Sequence, residues 1–207
     1  FVVTGSNAHL LSGELGSSLT GRHHTIELFP FDLGEFRVLR PKATLEDYLD
    51  AGGFPATIGA SDHDRLVRGY FQDIVERDMR ERVGARSSTP LRQLVQMLFE
   101  SAGSETSIRR LAAALGISVD TTSLYIDAAE SAYLAIGCPF FSWSERQRIV
   151  RNRKYYPIDT GLRRGAVTTT GHDRGKQLEC AVFLLLRRRF RQVHYWRGIG
   201  EIDFVVD

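Results

Sequence analysis

The sequence predicts a mixed α/β fold rich in helix, on three observations. Apolar residues recur at helical spacing over long stretches, above all Leu66, Val67, Tyr70, Phe71, Ile74, Val75, Met79 and Val83. That is the i, i+3, i+4 stripe of a helix packed on one side. Short extended runs closed by Gly or Pro lie between such stretches, at 25–28 before Pro30 and at 202–206 after Gly198-Ile199-Gly200. Hydrophobic residues make up 43% and charged residues 25% of the 207, the balance of a chain that buries a core.

Taken in order, residues 1–43 read as strand, polar turn, helix, strand. Thr4-Gly5-Ser6-Asn7 can cap a helix whose stripe is Leu11, Leu15 and Leu19 and whose stop is Gly21. Thr44 and Asp47 have the spacing of a capping box for a short helix carrying Leu45, Tyr48 and Leu49, ended by Gly52-Gly53. A helix is expected over 62–83, its far face charged through Glu76-Arg77-Asp78 and Arg80-Glu81-Arg82. From 89 to 165 the pattern is a winged helix, with helices expected over 91–101, from 106 or 107 to 115, and over 119–134. The last two are joined by the turn Gly116-Ile117-Ser118. Phe140-Phe141-Ser142-Trp143 and Lys154-Tyr155-Tyr156-Pro157 are the expected wing strands. A helix over 175–190 follows, its buried stripe expected at Leu178, Val182, Leu185 and Leu186, and a hairpin over 193–206 closes the chain.

Charge and composition narrow the function. Lys+Arg 27 against Asp+Glu 25 gives a net charge of +2, so the whole molecule is not a polycation. The cysteines, Cys138 and Cys180, are far apart, which points to buried free thiols in a reducing cytoplasm. No apolar run approaches the roughly 18 to 20 residues of a membrane helix. The chain opens and closes on strand-like segments, Phe1-Val2-Val3 and Phe204-Val205-Val206, and reads as part of a longer protein. Residues 111–144 contain no Lys, Arg or His, and the second helix of the helix-turn-helix carries Asp120, Asp127 and Glu130. Phosphate contacts and base readout favour basic and amide side chains, so the winged helix reads mainly as a docking module. Nucleic acid would have to use the wing, through Arg146, Arg148, Arg151, Arg153 and Lys154, and a solvated charge run accounts for those residues equally well.

Glu179 and Asp203 stand apart. Glu179 borders an apolar helix face, and Asp203 interrupts the apolar run Ile202-Asp203-Phe204-Val205-Val206, where an Asp is disfavoured. A carboxylate in such a place has a compensating partner. One option is Mg²⁺ held by Glu179 and Asp203, which would suit phosphodiester hydrolysis. The other is a salt bridge from Asp203 to Arg197 or to Arg187-Arg188-Arg189.

Taken together, Thr4-Gly5-Ser6-Asn7, Leu10-Leu11-Ser12, Gly21-Arg22, Leu28-Phe29-Pro30-Phe31, Gly52-Gly53-Phe54-Pro55, Arg77-Asp78 and Leu115-Gly116-Ile117-Ser118 form an ordered series. It continues with Lys154-Tyr155-Tyr156-Pro157-Ile158-Asp159-Thr160-Gly161, Gly175-Lys176-Gln177-Leu178-Glu179, Tyr195-Trp196-Arg197 and Glu201-Ile202-Asp203-Phe204-Val205. This series resembles prokaryotic AAA+-type ATP-binding proteins that carry a winged helix and a C-terminal restriction-endonuclease-like domain. The resemblance implies the end of a P-loop ATPase core at 1–43, a helical lid at 44–88, a winged helix at 89–165 and the start of a nuclease-like α/β domain at 166–207. It implies ATP and Mg²⁺ as cofactors of the intact protein, a γ-phosphate sensor at Thr4, Ser6 and Asn7, and Arg22 as a guanidinium offered across a subunit boundary, hence self-association. Glu179 and Asp203 match the first two acids of the nuclease-like pattern. These 207 residues contain no GxxxxGK[ST] and no acidic Walker B strand, which the family carries upstream, and the (Glu/Gln)-x-Lys of the nuclease pattern would follow Asp207. The chain by itself is therefore expected not to hydrolyse ATP. Three readings follow: part of an ATPase, a non-catalytic binding or regulatory module, or a Mg²⁺-dependent nuclease.

Overall fold

The structure, a computed structural model, describes residues 2, 24, 26–167 and 173–206. It is helix-rich α/β with two small sheets. Helices α1 (Leu33–Leu39) and α2 (Leu45–Ala51) each begin with a complete capping box, Asp32 with Glu35 and Thr44 with Asp47. They enclose a small core of Phe36, Ala43, Tyr48 and Leu49. After a 3₁₀ turn (Pro55–Thr57) comes α3 (His63–Asp73), which runs on through a π-helical segment (Ile74–Arg80) to a last turn (Glu81–Val83) capped by Gly84. The π turns have a cause in the sequence. Val67, Phe71, Val75, Met79 and Val83 lie four residues apart, which overruns the α-helical repeat of about 3.6 residues. Wider turns bring Val75 and Met79 back to the core side.

The central unit is α4 (Thr89–Glu100), β1 (Glu105–Thr106), α5 (Ile108–Leu115), α6 (Val119–Ser131), β2 (Ala135–Cys138) and β3 (Arg153–Pro157). Its antiparallel sheet has the order β1-β3-β2, with Thr106 opposite Arg153 and Ile136 opposite Tyr156. Gly116, at φ +66°, makes the left-handed turn between α5 and α6, a conformation that glycine adopts without a Cβ penalty. Leu91, Leu94, Leu98, Phe99, Ile126, Leu134 and Tyr156 fill the main core. Then follow α7 (Glu145–Val150, within the β2–β3 connection), α8 (Thr160–Ala166), α9 (Arg174–Arg189) and the hairpin β4 (His194–Arg197) and β5 (Glu201–Val205). Among the described residues no helix is long and apolar enough to cross a membrane.

Several sequence expectations are corrected. Of the strand expected over 25–28, the described residues 26–28 form none, and Ile26 and Leu28 are exposed. The strand opposite Lys154 is Ala135–Cys138, not 140–143. Phe140 makes only an isolated bridge to Tyr195, and the following residues coil into α7. On α9 the buried side is Gln177, Cys180, Phe183 and Leu184. Leu178, Val182 and Leu185 are exposed instead and line a cleft of about 400 Å³ with Leu33, Leu45 and Tyr48. The helices at 33–39 and 160–166 had no sequence expectation.

Candidate functional site

Strand β3 positions the site. Lys154 and Tyr156 are two residues apart, so they share one face of the strand, and each meets one of the two acids singled out from the sequence. Lys154 is only 1% exposed. Its ammonium lies 2.7 Å from Glu201 Oε1 and 3.1 Å from Asp203 Oδ1, both on β5. The Tyr195 ring lies under it at 5.2 Å, and the Tyr195 hydroxyl donates to the Asn152 carbonyl at 2.6 Å. Burial alone would lower the Lys154 pKa. The bonds to Glu201 and Asp203 outweigh it and hold Lys154 above the ordinary lysine value, as a cation.

Tyr156 donates to Glu179 Oε1 at 2.7 Å, while its ring stacks on Phe183 at 4.1 Å and tilts against Phe204 at 5.8 Å. Burial, then the bond to Glu179, pushes the Tyr156 pKa far up, so the phenol keeps its proton and acts as a donor. Gly103 (φ +78°) leaves room for the Glu179 carboxylate, since a Cβ there would lie 2.5 Å from Oε1. Cys138, on β2 beside this cluster, is a buried thiol pushed by burial up to about 12, and Cys180 is raised to about 12 for the same reason. Neither is a thiolate at neutral pH.

The structure thus places Glu179 and Asp203 against the same face of one strand, with different partners. Asp203 is exposed on β5, and its ionic partner is Lys154, the member of the pair that is buried. Neither of the partners expected from the sequence takes that place. Arg197 pairs with Glu105 at 3.3 Å, Arg187 with Glu27 at 3.2 Å and Arg188 with Glu35 at 2.8 Å. Glu179 is thus held by Tyr156, and Asp203 by Lys154. Among the described residues no group of three or more His, Cys, Asp or Glu is placed to hold a metal.

A second constellation had no sequence signal beyond its motif. Asp159 is buried and caps α8 by accepting from the Leu162 N–H at 2.7 Å, and it also accepts from the Gly53 N–H at 2.6 Å. Gly53 must be glycine, because a Cβ there would lie 2.1 Å from the Phe31 carbonyl oxygen. One carboxylate therefore joins Gly52-Gly53-Phe54-Pro55 to Pro157-Ile158-Asp159-Thr160-Gly161. Burial raises the Asp159 pKa, against the pull of the Gly53, Leu162 and Gly161 amides. Nearby, Arg174 paired with Asp50 (2.8 Å) ties α9 to α2, and Gln96 donating to the Ala166 carbonyl (2.7 Å) ties α4 to α8.

The basic residues expected in the wing have different surroundings. Lys154 is buried, a correction to its expected place among exposed wing cations. Arg148 is paired with Glu145, Arg153 lies 3.9 Å from Glu130, and Arg151 covers the Phe140 ring at 4.4 Å. Arg146 is exposed. Thr4, Ser6, Asn7 and Arg22 lie outside the described residues.

Residues 1–37 match a family described as an AAA domain. At 31% identity, 99% of the chain aligns with 55% of an uncharacterized protein of Haemophilus influenzae. At 29% identity, 99% aligns with 52% of the uncharacterized protein MJ1544 of Methanocaldococcus jannaschii. The chain spans about half the length of these curated relatives. No solved structure matches it. Residues 42–173, well over half of the chain, match a family described as a domain of unknown function, DUF8612. The Asp159 junction and the Lys154 and Tyr156 pair on β3 all lie within that match, and the chain belongs to this family.

Proposed function

We propose that this chain is the C-terminal portion of an AAA+-type ATP-binding protein in which ATP hydrolysis drives a partner-docking module. The AAA-domain match at 1–37, directly followed by the family match at 42–173, carries the reading. In it, 1–43 end the ATPase core, 44–88 form a helical lid, 89–165 a winged helix and 166–207 the start of a nuclease-like domain. The order of α4, β1, α5, α6 and the β2–β3 hairpin supports the winged helix. Thr4, Ser6 and Asn7 would sense the γ-phosphate and Arg22 would face a neighbouring subunit, with ATP and Mg²⁺ held by residues outside this chain. Asp159 gives the coupling a physical route. It binds the lid loop at Gly53 and the first turn of α8 with one carboxylate, so a displaced lid pulls on the module behind it. The test is ATP turnover by the intact protein with and without replacement of its Walker lysine. Turnover that depends on that lysine is expected, and a protein that binds its partner without turnover is a non-catalytic regulatory module instead.

One observation favours a second reading. Lys154 stands 3.1 Å from Asp203, and Tyr156, two residues on along β3, binds Glu179, so one strand brings a cation and contacts to both acids that phosphodiester hydrolysis would use. Magnesium-dependent DNA cleavage by the intact protein is the assay. Cleavage that persists in Asp203→Ala rules out a nuclease built on Glu179 and Asp203.

A further inference from the structure

Two exposed stripes on the central unit have complementary chemistry. On α6, Asp120, Leu124 and Asp127 stand at i, i+4 and i+7, so they line one face of the helix. All three are exposed, Leu124 at 49%. On α7, Arg146, Ile149 and Val150 stand at i, i+3 and i+4, and Trp143 precedes them. Trp143 is 93% exposed and packs only its edge on Phe141, at 5.3 Å, while Ile149 and Val150 are also exposed. Among the described residues Asp120, Asp127 and Arg146 have no ion-pair partner. An exposed Trp flanked by aliphatic side chains and one free cation has the composition of an interface anchor. Aliphatic side chains gain from an apolar partner and little from a phosphate backbone, and α6 would repel that backbone.

We infer that the α7 stripe of one copy docks on the α6 stripe of a second copy. Arg146 would face Asp120 and Asp127, and Trp143, Ile149 and Val150 would cover Leu124 and Val119. The contact is head-to-tail, because each copy offers one stripe and receives on the other, so it builds a ring or an open chain of subunits. It is separate from any ATP chemistry and is measured without nucleotide.

The experiment is sedimentation velocity on the full chain at low ionic strength. Arg146→Glu and Asp127→Arg each weaken self-association about tenfold or more, and the two combined in one chain recover part of it, because the 146 and 127 charges are exchanged across the same contact while Asp120 is unchanged. Mixing Leu124→Cys with Trp143→Cys chains gives a disulfide-linked pair under mild oxidation, whereas neither variant alone does so. Both substitutions lie on exposed side chains, which leaves the core intact, and the native cysteines are buried. A chain that stays monomeric at high micromolar concentration overturns the proposal, as does a double variant that fails to recover. If Arg146→Glu instead abolishes binding of a fluorescent oligonucleotide without changing sedimentation, the stripe contacts nucleic acid and the proposal falls.

Discussion

Replacing Lys154 by methionine keeps the reach of the side chain and removes its charge, leaving Glu201 and Asp203 without their cation. The carboxylates are about half exposed, so water recovers part of the loss. The expected cost is about 1–3 kcal/mol, less than for a fully buried pair, read as a lower urea midpoint. The pH dependence has a definite sign. Lys154 is held above its ordinary 10.5, so its contribution is complete below that value and is lost as pH rises through the higher folded value. Wild type therefore loses more stability than Lys154→Met once pH passes about 10.5, the tyrosine contributions being common to both. At Gly53, alanine puts a Cβ against the Phe31 carbonyl oxygen, and backbone cannot give way as a flexible side chain does. Gly53→Ala is expected to cost about 1–3 kcal/mol, seen as a lowered Tm. The apolar run around Asp203 predicts a compensating partner, but Asp203 is exposed and the burial belongs to Lys154. The sequence could not identify Lys154, which lies 49 residues away and reaches Asp203 only once β3 and β5 are packed together.

Local chemistry was most legible at the level of elements. Thr44 with Asp47 predicts a capping box and the structure has one, with the Asp47 N–H donating to Thr44 Oγ1 at 3.1 Å and the Thr44 N–H to Asp47 at 2.8 Å. Thr44→Ala is expected to cost about 1 kcal/mol and to speed amide exchange within Leu45–Ala51. Asp47 will show the change directly: the Thr44 backbone N–H and then its hydroxyl hold the Asp47 carboxyl below the usual value, and losing the hydroxyl alone lets it rise part of the way. Helix α9 shows where periodicity stops. It carries apolar residues around most of its circumference, so spacing alone cannot choose between the face of Leu178, Val182 and Leu185 and the face of Cys180, Phe183 and Leu184. Packing against Tyr156 and Phe204 chose the second. The wing strands were displaced for a related reason. Phe140-Phe141-Ser142-Trp143 has strand composition, but Ala135–Cys138 reaches β3 first and takes its hydrogen bonds.

Across the whole molecule the Asp159 junction connects residues 106 positions apart. Asp159→Asn keeps the shape and loses one acceptor, leaving either the Gly53 or the Leu162 amide unsatisfied at a cost of about 1–3 kcal/mol. Amide exchange should quicken together in the loop after Gly53 and in Thr160–Ala166; quickening in one region alone would show that they are not joined through this residue. The overall class, helix-rich α/β, followed from the sequence alone, as did most helix positions, the Gly116 turn and the capping box of Thr44 with Asp47. These features depend on neighbours within a few residues, where backbone preference and side-chain spacing act directly. The tertiary structure alone decided that Lys154 is a buried counter-ion and not a wing cation. It also decided that Tyr156 holds Glu179, and that Gly52 makes room for the Asp159 carboxylate while Gly53 makes room for the Phe31 backbone. Each depends on two distant segments meeting in a low-dielectric interior, where an unpaired charge or amide is costly enough to select its partner. Sequence spacing carries no record of that encounter.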